Sequence, residues 1–128
     1  MNTENRIPSS QTNQFRIVFP GSLNDNGILF GGTAMQWMDE VAYITALRYT
    51  GMKMVTVTAD NIHFHRSVRQ GTIVEIIGRV IRSGNVKIDI KVEIFAESYT
   101  DNARELAADA IFTFAAINEE FKPVRIEI

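Results

Sequence analysis

The chain contains no cysteine among its 128 residues. This absence excludes disulfide frameworks, thiolate metal sites and a cysteine nucleophile. There is no excess of positive charge, since 13 Lys and Arg stand against 15 Asp and Glu, and the composition therefore does not indicate nucleic acid or an anionic membrane as a partner. No apolar run approaches the ~18–20 residues that a membrane span requires, and the polar beginning MNTENRIPSSQTNQ lacks the apolar part of a secretory signal. We expect a cytoplasmic protein that binds neither nucleic acid nor membrane.

Several signatures of catalytic and binding sites are also missing. No serine lies in a G-x-S-x-G elbow, and GILFGG has neither the lysine of a phosphate-binding loop nor the spacing of a dinucleotide fingerprint. The NDNG stretch lacks the alternating ligands and the distal glutamate of a calcium loop. His63 and His65 lie on one face of a candidate strand, but without cysteine or a clear third ligand they predict no metal site.

The composition is that of one globular domain. Hydrophobic residues make up 45% and charged residues 22% of the chain, an ordinary globular balance, and the length fits one domain of the usual ~100–200 residues. We predict a flexible N-terminal arm over residues 1–13 and a single domain over residues 14–128.

Period-two alternation predicts strands in most of the domain. Residues 14–19 place Phe15, Ile17 and Phe19 on one side and end at Pro20-Gly21. After one helix, predicted over residues 33–49 and stopped by Gly51, the candidate strands cover residues 54–64, 72–82, 86–97 and 105–118. In the last of these, ELAADA favours a helix and IFTFAAI a strand, and we predict strand throughout. One helix against one antiparallel sheet is an α+β fold.

The predicted helix is apolar around most of its circumference. Gln36, Glu40 and Tyr43 form one narrow polar arc, and a helix of this kind is buried on nearly all sides. A flat sheet covers only one side, so either the sheet curls around the helix or a second copy of the chain covers the rest. A homodimer follows naturally.

Asp39 and the Gly31-Gly32 pair are candidate chemical groups by residue type and position. Asp39 falls at the edge of the polar arc, where it is either half of a solvated pair with Glu40 or a general base or nucleophile. Gly31-Gly32 directly precedes the helix, whose first N–H groups are free to bind a phosphate or an oxyanion. Alternatively, the glycines cap the helix and allow tight packing.

Two further groups of residues have both a structural and a functional interpretation. By pattern alone Asn24 begins a plain Asn-Gly turn at residues 24–27. Basic residues that cluster at strand ends form either a solvated rim or a patch for a phosphate-bearing ligand; they are Arg66, Arg69, Arg79, Arg82 and Lys87.

Two segments together resemble the acyl-CoA thioesterase branch of the hotdog superfamily. The array N-x-N-G-x-x-F-G-G-x-x-M-x-x-M-D-E (residues 24–40) is specific to it, and VTVTADNIHFHRSVRQG (residues 55–71) with the long strand that follows supports it. The second segment matches the family pattern x-I-x-F-x-x-P-V-x-x-G, with Ser67 where proline is usual. The resemblance covers roughly residues 20–116.

The resemblance implies the fold and the assembly. The fold would be a curved antiparallel sheet of about five strands wrapped around one long helix. Protomers would form homodimers by joining sheets edge to edge, and the dimers would assemble further into a dimer of dimers or a hexamer.

The resemblance also implies the reaction and its residues. The substrate would be an acyl-CoA, hydrolysed to a carboxylic acid and CoA without a metal or redox cofactor. The site would pair Asn24 of one subunit with Asp39 of the other, and the Gly32 N–H would polarise the thioester carbonyl. CoA would follow the subunit boundary, with contacts expected from Gly31, Arg66, Arg69, Ser83, Asn85 and Lys87.

Other hotdog functions remain open at this point. A hotdog dehydratase would require a catalytic histidine that this loop-helix segment lacks. A non-catalytic acyl-CoA-binding or regulatory dimer is the main alternative, and a purely structural dimer is the third. The turn at residues 83–87 departs from the G-x-x-S that is common in this branch.

Overall fold

The computed structural model describes residues 3–127, which contain two α-helices and five β-strands. In chain order these are α1 (Thr3–Ser10), β1 (Thr12–Ile17), α2 (Gly31–Thr50), β2 (Met54–Phe64), β3 (Ile73–Ser83), β4 (Lys87–Glu97) and β5 (Arg104–Ala116), with a 3-10 turn at Pro20–Ser22. The strands form one antiparallel sheet in the order β1-β3-β4-β5-β2, and α2 contacts all five. The predicted α+β fold, one long helix wrapped by a curved five-stranded sheet, is confirmed.

Helix α2 is buried by the sheet, as its apolar circumference predicts. The side chains without exposed surface include Met38, Val41, Ala42, Ala46 and Tyr49. The helix packs closely against the sheet at Gly78 of β3, where a Cβ atom would lie 2.7 Å from Thr45 Oγ1 and 3.0 Å from Val41 Cγ1. A side chain at residue 78 would therefore push the helix away from the sheet.

No helix within residues 3–127 has the length and apolar character needed to span a membrane.

Strand β1 alternates as predicted, but its apolar side chains face away from α2. Phe15 and Ile17 are 60% and 48% exposed, and Phe19, just beyond the strand, is 65% exposed. On the other face, the Arg16 guanidinium lies 2.9 Å from the Glu40 carboxylate of α2. The polar arc of the helix is thus covered by polar side chains of β1, which the sequence pattern did not reveal.

The N-terminal segment, residues 1–13, is predicted to be a flexible arm, but the residues of it that the structure describes form a helix and the start of a strand. Residues 3–10 form α1, and β1 begins at Thr12. Arg48, near the end of α2, donates hydrogen bonds to the carbonyl oxygens of Ser9 at 2.6 Å and Gln11 at 2.7 Å, and to Thr12 Oγ1 at 3.2 Å. Residues 9–12 are therefore tied to α2, while the division into arm and domain stays a prediction.

Strand β5 lies in the interior of the sheet, between β4 and β2. Ala108, Ala110, Phe112 and Phe114 alternate with less buried residues and face α2. The residues on its other face are half-buried from Leu106 to Thr113, and a strand with both faces covered needs few polar side chains, which explains why its sequence is apolar enough to suggest a helix. The strand predicted over residues 105–118 is observed at Arg104–Ala116.

Candidate active site

The loop before α2 is organised around the side chain of Asn24. Its Oδ1 accepts hydrogen bonds from the backbone N–H groups of Asn26 at 2.9 Å and Ile28 at 3.2 Å. Gly27, at the tip, has a φ of 76°, which favours glycine. The predicted turn is therefore present. Two donors thus occupy Oδ1. Within residues 3–127 Nδ2 makes no hydrogen bond, so the N–H groups of the Asn24 side-chain amide are the ones left to bind a ligand.

A cavity of about 300 Å³ lies between this loop and the start of α2. Its polar walls come from the loop and from the end of β2, and the residues that concern the site are Asn24, Gly31, Phe64, Arg66 and Ser67. Asn24 is half-buried, whereas Phe64 is 55% exposed. The cavity thus brings the loop amide, one of the two glycines and one predicted basic residue to the same place.

The N-terminus of α2 beside this cavity has free backbone donors. The first intrahelical bond runs from the Ala34 N–H to the Phe30 carbonyl at 3.0 Å, so the N–H groups of Gly31, Gly32 and Thr33 precede the helical ladder. The cap residue Phe30 makes no side-chain hydrogen bond to them. These donors and the positive end of the helix dipole suit an anionic or partly anionic oxygen.

The Gly31-Gly32 pair also has a packing role. A Cβ atom at Gly32 would lie 3.1 Å from the Phe30 ring, and one at Gly31 would lie 3.6 Å from the Phe64 ring. Neither glycine has a positive φ, so space, not backbone conformation, is what favours glycine here. Both interpretations of the pair, tight packing and access to the helix N–H groups, fit this geometry.

Asp39 lies in the third turn of α2, where it is half-buried. Its Oδ1 accepts a hydrogen bond from the Thr56 hydroxyl at 3.1 Å, and no Lys, Arg or His of the described chain forms an ion pair with it. The neighbouring Glu40 is exposed, paired with Arg16 at 2.9 Å and contacted by Gln36 at 3.3 Å. The two carboxylates therefore do not form one solvated pair: the charge of Glu40 is compensated, and that of Asp39 is not.

Thr56 is a candidate site residue that the sequence did not identify. It lies near the start of β2, where the strand passes beside α2. In the run MVTVT (residues 54–58) nothing distinguishes Thr56 from Thr58, because threonine is common in strands. Only the contact with Asp39 separates them.

Asp39 opens into a second cavity of about 380 Å³, lined by Gln14, Asp39, Glu40, Tyr43 and Ile44. This cavity shares no lining residue with the one at Asn24. Gly31 and Asp39 are eight residues apart on α2, roughly 12 Å along the axis at 1.5 Å per residue. A reacting atom has to lie about 3 Å from each group that acts on it. One chain therefore does not unite Asn24 and Asp39 in one site.

The predicted CoA contacts are divided in the same way. Arg66 and Arg69 belong to the segment after β2, and Arg66 lines the cavity of Asn24. Ser83, Asn85 and Lys87 surround the turn between β3 and β4, at the far end of β3. Eleven residues of β3 span roughly 33–37 Å. Within one chain these residues form two groups.

His63 and His65 both contact Asp109 on the outer face of the sheet. Their ring nitrogens lie 3.3 and 3.4 Å from its two carboxylate oxygens, and the rings stack with centroids 5.7 Å apart. In the described part of the chain no group of three or more His, Cys, Asp or Glu residues could hold a metal ion. Phe64, between the two histidines, faces the cavity of Asn24.

Comparison with known proteins shows the family. Residues 26–103 match the profile of the thioesterase superfamily. A cytosolic acyl coenzyme A thioester hydrolase of Rattus norvegicus is 36% identical over 124 residues, which are 95% of this chain but 32% of that protein. The chain thus spans about a third of the length of this mammalian relative.

Solved structures share the fold over nearly the whole chain. An acyl-CoA hydrolase from Staphylococcus aureus, in complex with butyryl-CoA and CoA, has a TM-score of 0.88 and 32% identity, covering 94% of this chain and 73% of that one. A hexameric thioesterase from Yersinia pestis has a TM-score of 0.84 and 30% identity, covering 90% and 93%. On the profile match and the shared fold, the chain belongs to the thioesterase superfamily and is one of its hotdog domains.

Proposed function

We propose that the protein hydrolyses acyl-CoA to a carboxylic acid and CoA at sites built from two copies of the chain. The observation that carries this proposal is the pair of separate half-sites: the uncompensated carboxylate of Asp39, and the Asn24 amide beside a free helix N-terminus. The S. aureus hydrolase has been solved as variants in which one aspartate, one asparagine or one threonine is replaced by alanine. These are the residue types of Asp39, Asn24 and Thr56.

The exposed edge of β2 supports the pairing of two chains. Within residues 3–127, β5 is the only strand paired with β2. The apolar side chains of β2 are 38–55% exposed; they are Val55, Val57, Ile62 and Phe64. A long edge strand with exposed apolar residues is a ready template for another strand. Two β2 strands related by a two-fold axis would pair antiparallel and join the two sheets.

The two-fold pairing unites the half-sites. In an antiparallel pair of identical strands, the numbers of the two residues that face each other always add up to the same value. A two-fold axis near the middle of β2 would therefore place Thr56 beside the partner's Phe64. Thr56 donates a hydrogen bond to Asp39, and Phe64 lines the cavity of Asn24. Each dimer would contain two complete sites, with Asn24 and the Gly32 N–H from one chain and Asp39 from the other.

The same pairing regroups the CoA contacts. Ile88 and Thr56 both pair with Phe114 of β5, so the turn at residues 83–87 lies at the Asp39 end of the sheet. In the dimer this end meets the partner's Arg66 and Arg69. Ser83, Asn85 and Lys87 from one chain and the two arginines from the other would flank one CoA, with the arginines and the lysine available to its phosphates.

The proposed chemistry is water attack on the thioester. Asp39 takes a proton from water, the hydroxide adds to the carbonyl carbon, and the C–S bond breaks as the thiolate of CoA takes up a proton. In the alternative route the Asp39 carboxylate itself attacks, releases CoA and forms an anhydride that water cleaves. In both routes the Asn24 Nδ2 and the Gly32 N–H donate to the oxygen that gains negative charge. Neither route requires a metal or a redox cofactor.

The proposal is tested by thiol release from a panel of acyl-CoAs. We expect the wild type to release thiol, and Asp39→Ala and Asn24→Ala to lose activity by about 10²-fold or more, while Asp25→Ala, in the same loop, retains it. Bound CoA without thiol release by the wild type would instead support the non-catalytic acyl-CoA-binding dimer. Full activity of Asn24→Ala would overturn its assigned role.

Mixed dimers test whether each site is shared. Asp39→Ala and Asn24→Ala chains are each inactive, but a heterodimer of the two would contain one site with both residues intact. Mixing and reassembling them should therefore restore activity to a substantial fraction of the wild-type rate. If no activity returns in a verified heterodimer, the site is not shared between subunits.

The assembly beyond the dimer is also part of the proposal. The Y. pestis structure is hexameric, and two further similar structures, both acyl-CoA thioesterases, are described as hexameric. We expect this chain to form a dimer of dimers or a trimer of dimers. Cytoplasmic location, which agrees with the cytosolic mammalian relative, stays a prediction.

A further inference from the structure

Gln14 of β1 carries a side-chain carboxamide that makes no hydrogen bond in the described part of the chain. Its Oε1 is buried and unpaired, and no group within residues 3–127 bonds its Nε2. Buried amide atoms without a partner are rare, because leaving them unpaired costs free energy. Gln14 lines the cavity of Asp39, and the last torsion of a glutamine side chain is soft. The carboxamide can therefore turn toward a group that enters this cavity.

The other walls of the cavity are apolar or already paired. The Glu40 carboxylate accepts a hydrogen bond from Arg16 at 2.9 Å. Tyr43 packs its ring edge-on against Phe114 of β5, with centroids 6.0 Å apart, and Ile44 is 39% exposed. An apolar chain that lies along these two side chains would reach the unpaired carboxamide.

β1 and α2 run in opposite directions, which fixes the position of Gln14 along the helix. Near the end of β1, Arg16 pairs with Glu40 at 2.9 Å. At its start, Thr12 Oγ1 accepts a hydrogen bond from Arg48 at 3.2 Å. Gln14 is midway between the two strand residues, so it lies level with the helix residue midway between the other two.

That helix residue is Ile44, which lines the same cavity. Asp39 and Ile44 are five residues apart on α2, roughly 7–8 Å along the axis at about 1.5 Å per residue. An extended chain of about six carbon atoms, with bonds of about 1.5 Å, covers this distance. With the thioester carbon beside Asp39, Gln14 is therefore level with the far end of a six-carbon acyl chain.

The cavity extends away from the side on which CoA is proposed to bind. Asp39 contacts β2 through Thr56, and CoA would follow the boundary between the paired β2 strands. Gln14 lies on β1, at the opposite edge of the sheet. The sulfur side of the thioester would thus point toward β2 and the acyl chain toward β1, into the cavity of Asp39.

A carboxamide is complementary to a hydroxyl group. The Oε1 of Gln14 accepts a hydrogen bond and its Nε2 donates one, while a hydroxyl group does both. A methyl group at the end of the acyl chain would do neither, and it would separate the amide from water without replacing the lost hydrogen bonds. A site that hydrogen-bonds a substrate hydroxyl disfavours the analogue that lacks it.

We propose that Gln14 selects acyl-CoA substrates whose aliphatic acyl chain carries a hydroxyl group at about the sixth carbon. The inference rests on the proposed function, because it takes Asp39 as the group that acts on the thioester. Gln14 determines specificity in this site: it contacts the acyl chain and takes no part in breaking the C–S bond.

The test compares kcat/KM for thiol release from three CoA thioesters of equal chain length: hexanoyl-CoA, 6-hydroxyhexanoyl-CoA and 3-hydroxyhexanoyl-CoA. We expect the wild type to prefer the 6-hydroxy substrate over hexanoyl-CoA by about tenfold. The 3-hydroxy isomer should behave like hexanoyl-CoA, since its hydroxyl group does not reach Gln14. Gln14→Met keeps the length of the side chain without the carboxamide and should lower the 6-hydroxy preference to about one. Gln11→Met, at an exposed glutamine outside the cavity, should keep the wild-type ratio.

The wild-type ratio tests the inference even if a variant fails to fold. Equal rates with hexanoyl-CoA and its 6-hydroxy analogue, or a preference for the 3-hydroxy isomer, would overturn it. So would a preference that Tyr43→Phe abolishes and Gln14→Met retains, because Tyr43 carries the only hydroxyl group among the residues that line the cavity. Gln14→Met should unfold at no lower urea concentration than the wild type, since it removes an unpaired polar group; a marked loss of stability would make Gln14 a structural residue. Absence of thiol release from every acyl-CoA would instead refute the proposed function.

Discussion

The two edge strands of the sheet, β1 and β2, both expose apolar side chains, but in different ways. β1 is six residues long, faces α2 with polar side chains and directs Phe15 and Ile17 outward. β2 is eleven residues long and exposes Val55 and Val57, and its outer edge pairs with no other strand in the described part of the chain. The position of β1 is thus fixed by contacts within its own chain, whereas β2 has an edge suited to another chain. Substitutions that disturb the packing near β1 should therefore reduce the stability of the subunit, whereas substitutions in β2 should reduce dimer formation and activity.

The largest effect is expected for Val57→Asp on β2. In the proposed two-fold pairing each Val57 would lie in the contact between the two strands, so the variant places a carboxylate from each chain in a largely apolar contact, which opposes dimer formation. We expect a folded monomer with at least about 100-fold lower thiol release, because Asn24 and Asp39 are then separated. Val57→Thr keeps the branched shape and should remain a dimer. A fully active Val57→Asp monomer would show that β2 is not the edge that completes the site.

Gly78→Ala should lower the stability of the subunit near β1. The added methyl group would meet Thr45 and Val41 of α2 at 2.7 and 3.0 Å, and overpacking of this kind costs about 1–3 kcal/mol. Urea unfolding measures the change. Gly21→Ala, where nothing lies within 4 Å of the new Cβ, serves as the control and should change stability by less than about 0.5 kcal/mol.

Thr56→Ala tests the proposed role of β2 in catalysis without disturbing its edge. Loss of the 3.1 Å hydrogen bond to Asp39 leaves the carboxylate free to rotate, and we expect kcat to fall about tenfold, or about 1.4 kcal/mol. Thr56→Ser restores the hydroxyl and should recover most of the rate. Thr58→Ala, two residues along the same strand, should have little effect. Equal losses for both alanine variants would indicate a structural role.

Arg48→Ala should have a smaller effect on stability than Gly78→Ala, also on the β1 side. It removes hydrogen bonds to the carbonyl oxygens of Ser9 and Gln11, and a bond of this kind contributes about 1 kcal/mol. A drop of about 1–2 kcal/mol in the free energy of unfolding is expected. Arg82→Ala, whose side chain is 78% exposed, should change it by less than about 1 kcal/mol. Equal losses would mean that Arg48 does not anchor β1.

Most of the fold could be predicted because its signals are local. The period of two and the turn residues place the strands within about two residues of their bounds, and the helix predicted over residues 33–49 is observed at Gly31–Thr50. The direction of β1 could not be predicted, since alternation gives two faces but not which one meets the helix. That choice depends on the polar arc of α2, and in particular on Glu40, which attracts Arg16.

The candidate site was predictable only in part. The NDNG turn and the helix after Gly31-Gly32 follow from local residue preferences, and the roles of Asn24 and Asp39 came from the resemblance to a family. The sequence gives no distance between these two residues, because that distance depends on how the loop folds back against α2. Thr56 could not be predicted at all, since its contact with Asp39 arises only from the packing of β2 beside the helix.

The division of Asn24 and Asp39 between different cavities has a consequence for mass action. If every working site requires two chains, the rate per chain depends on protein concentration and falls on dilution below the dissociation constant of the dimer. An acyl-CoA that spans both chains binds only the associated form and therefore stabilises it. Substrate would then protect its own enzyme from dissociation, and dilution experiments with and without CoA would measure this coupling directly.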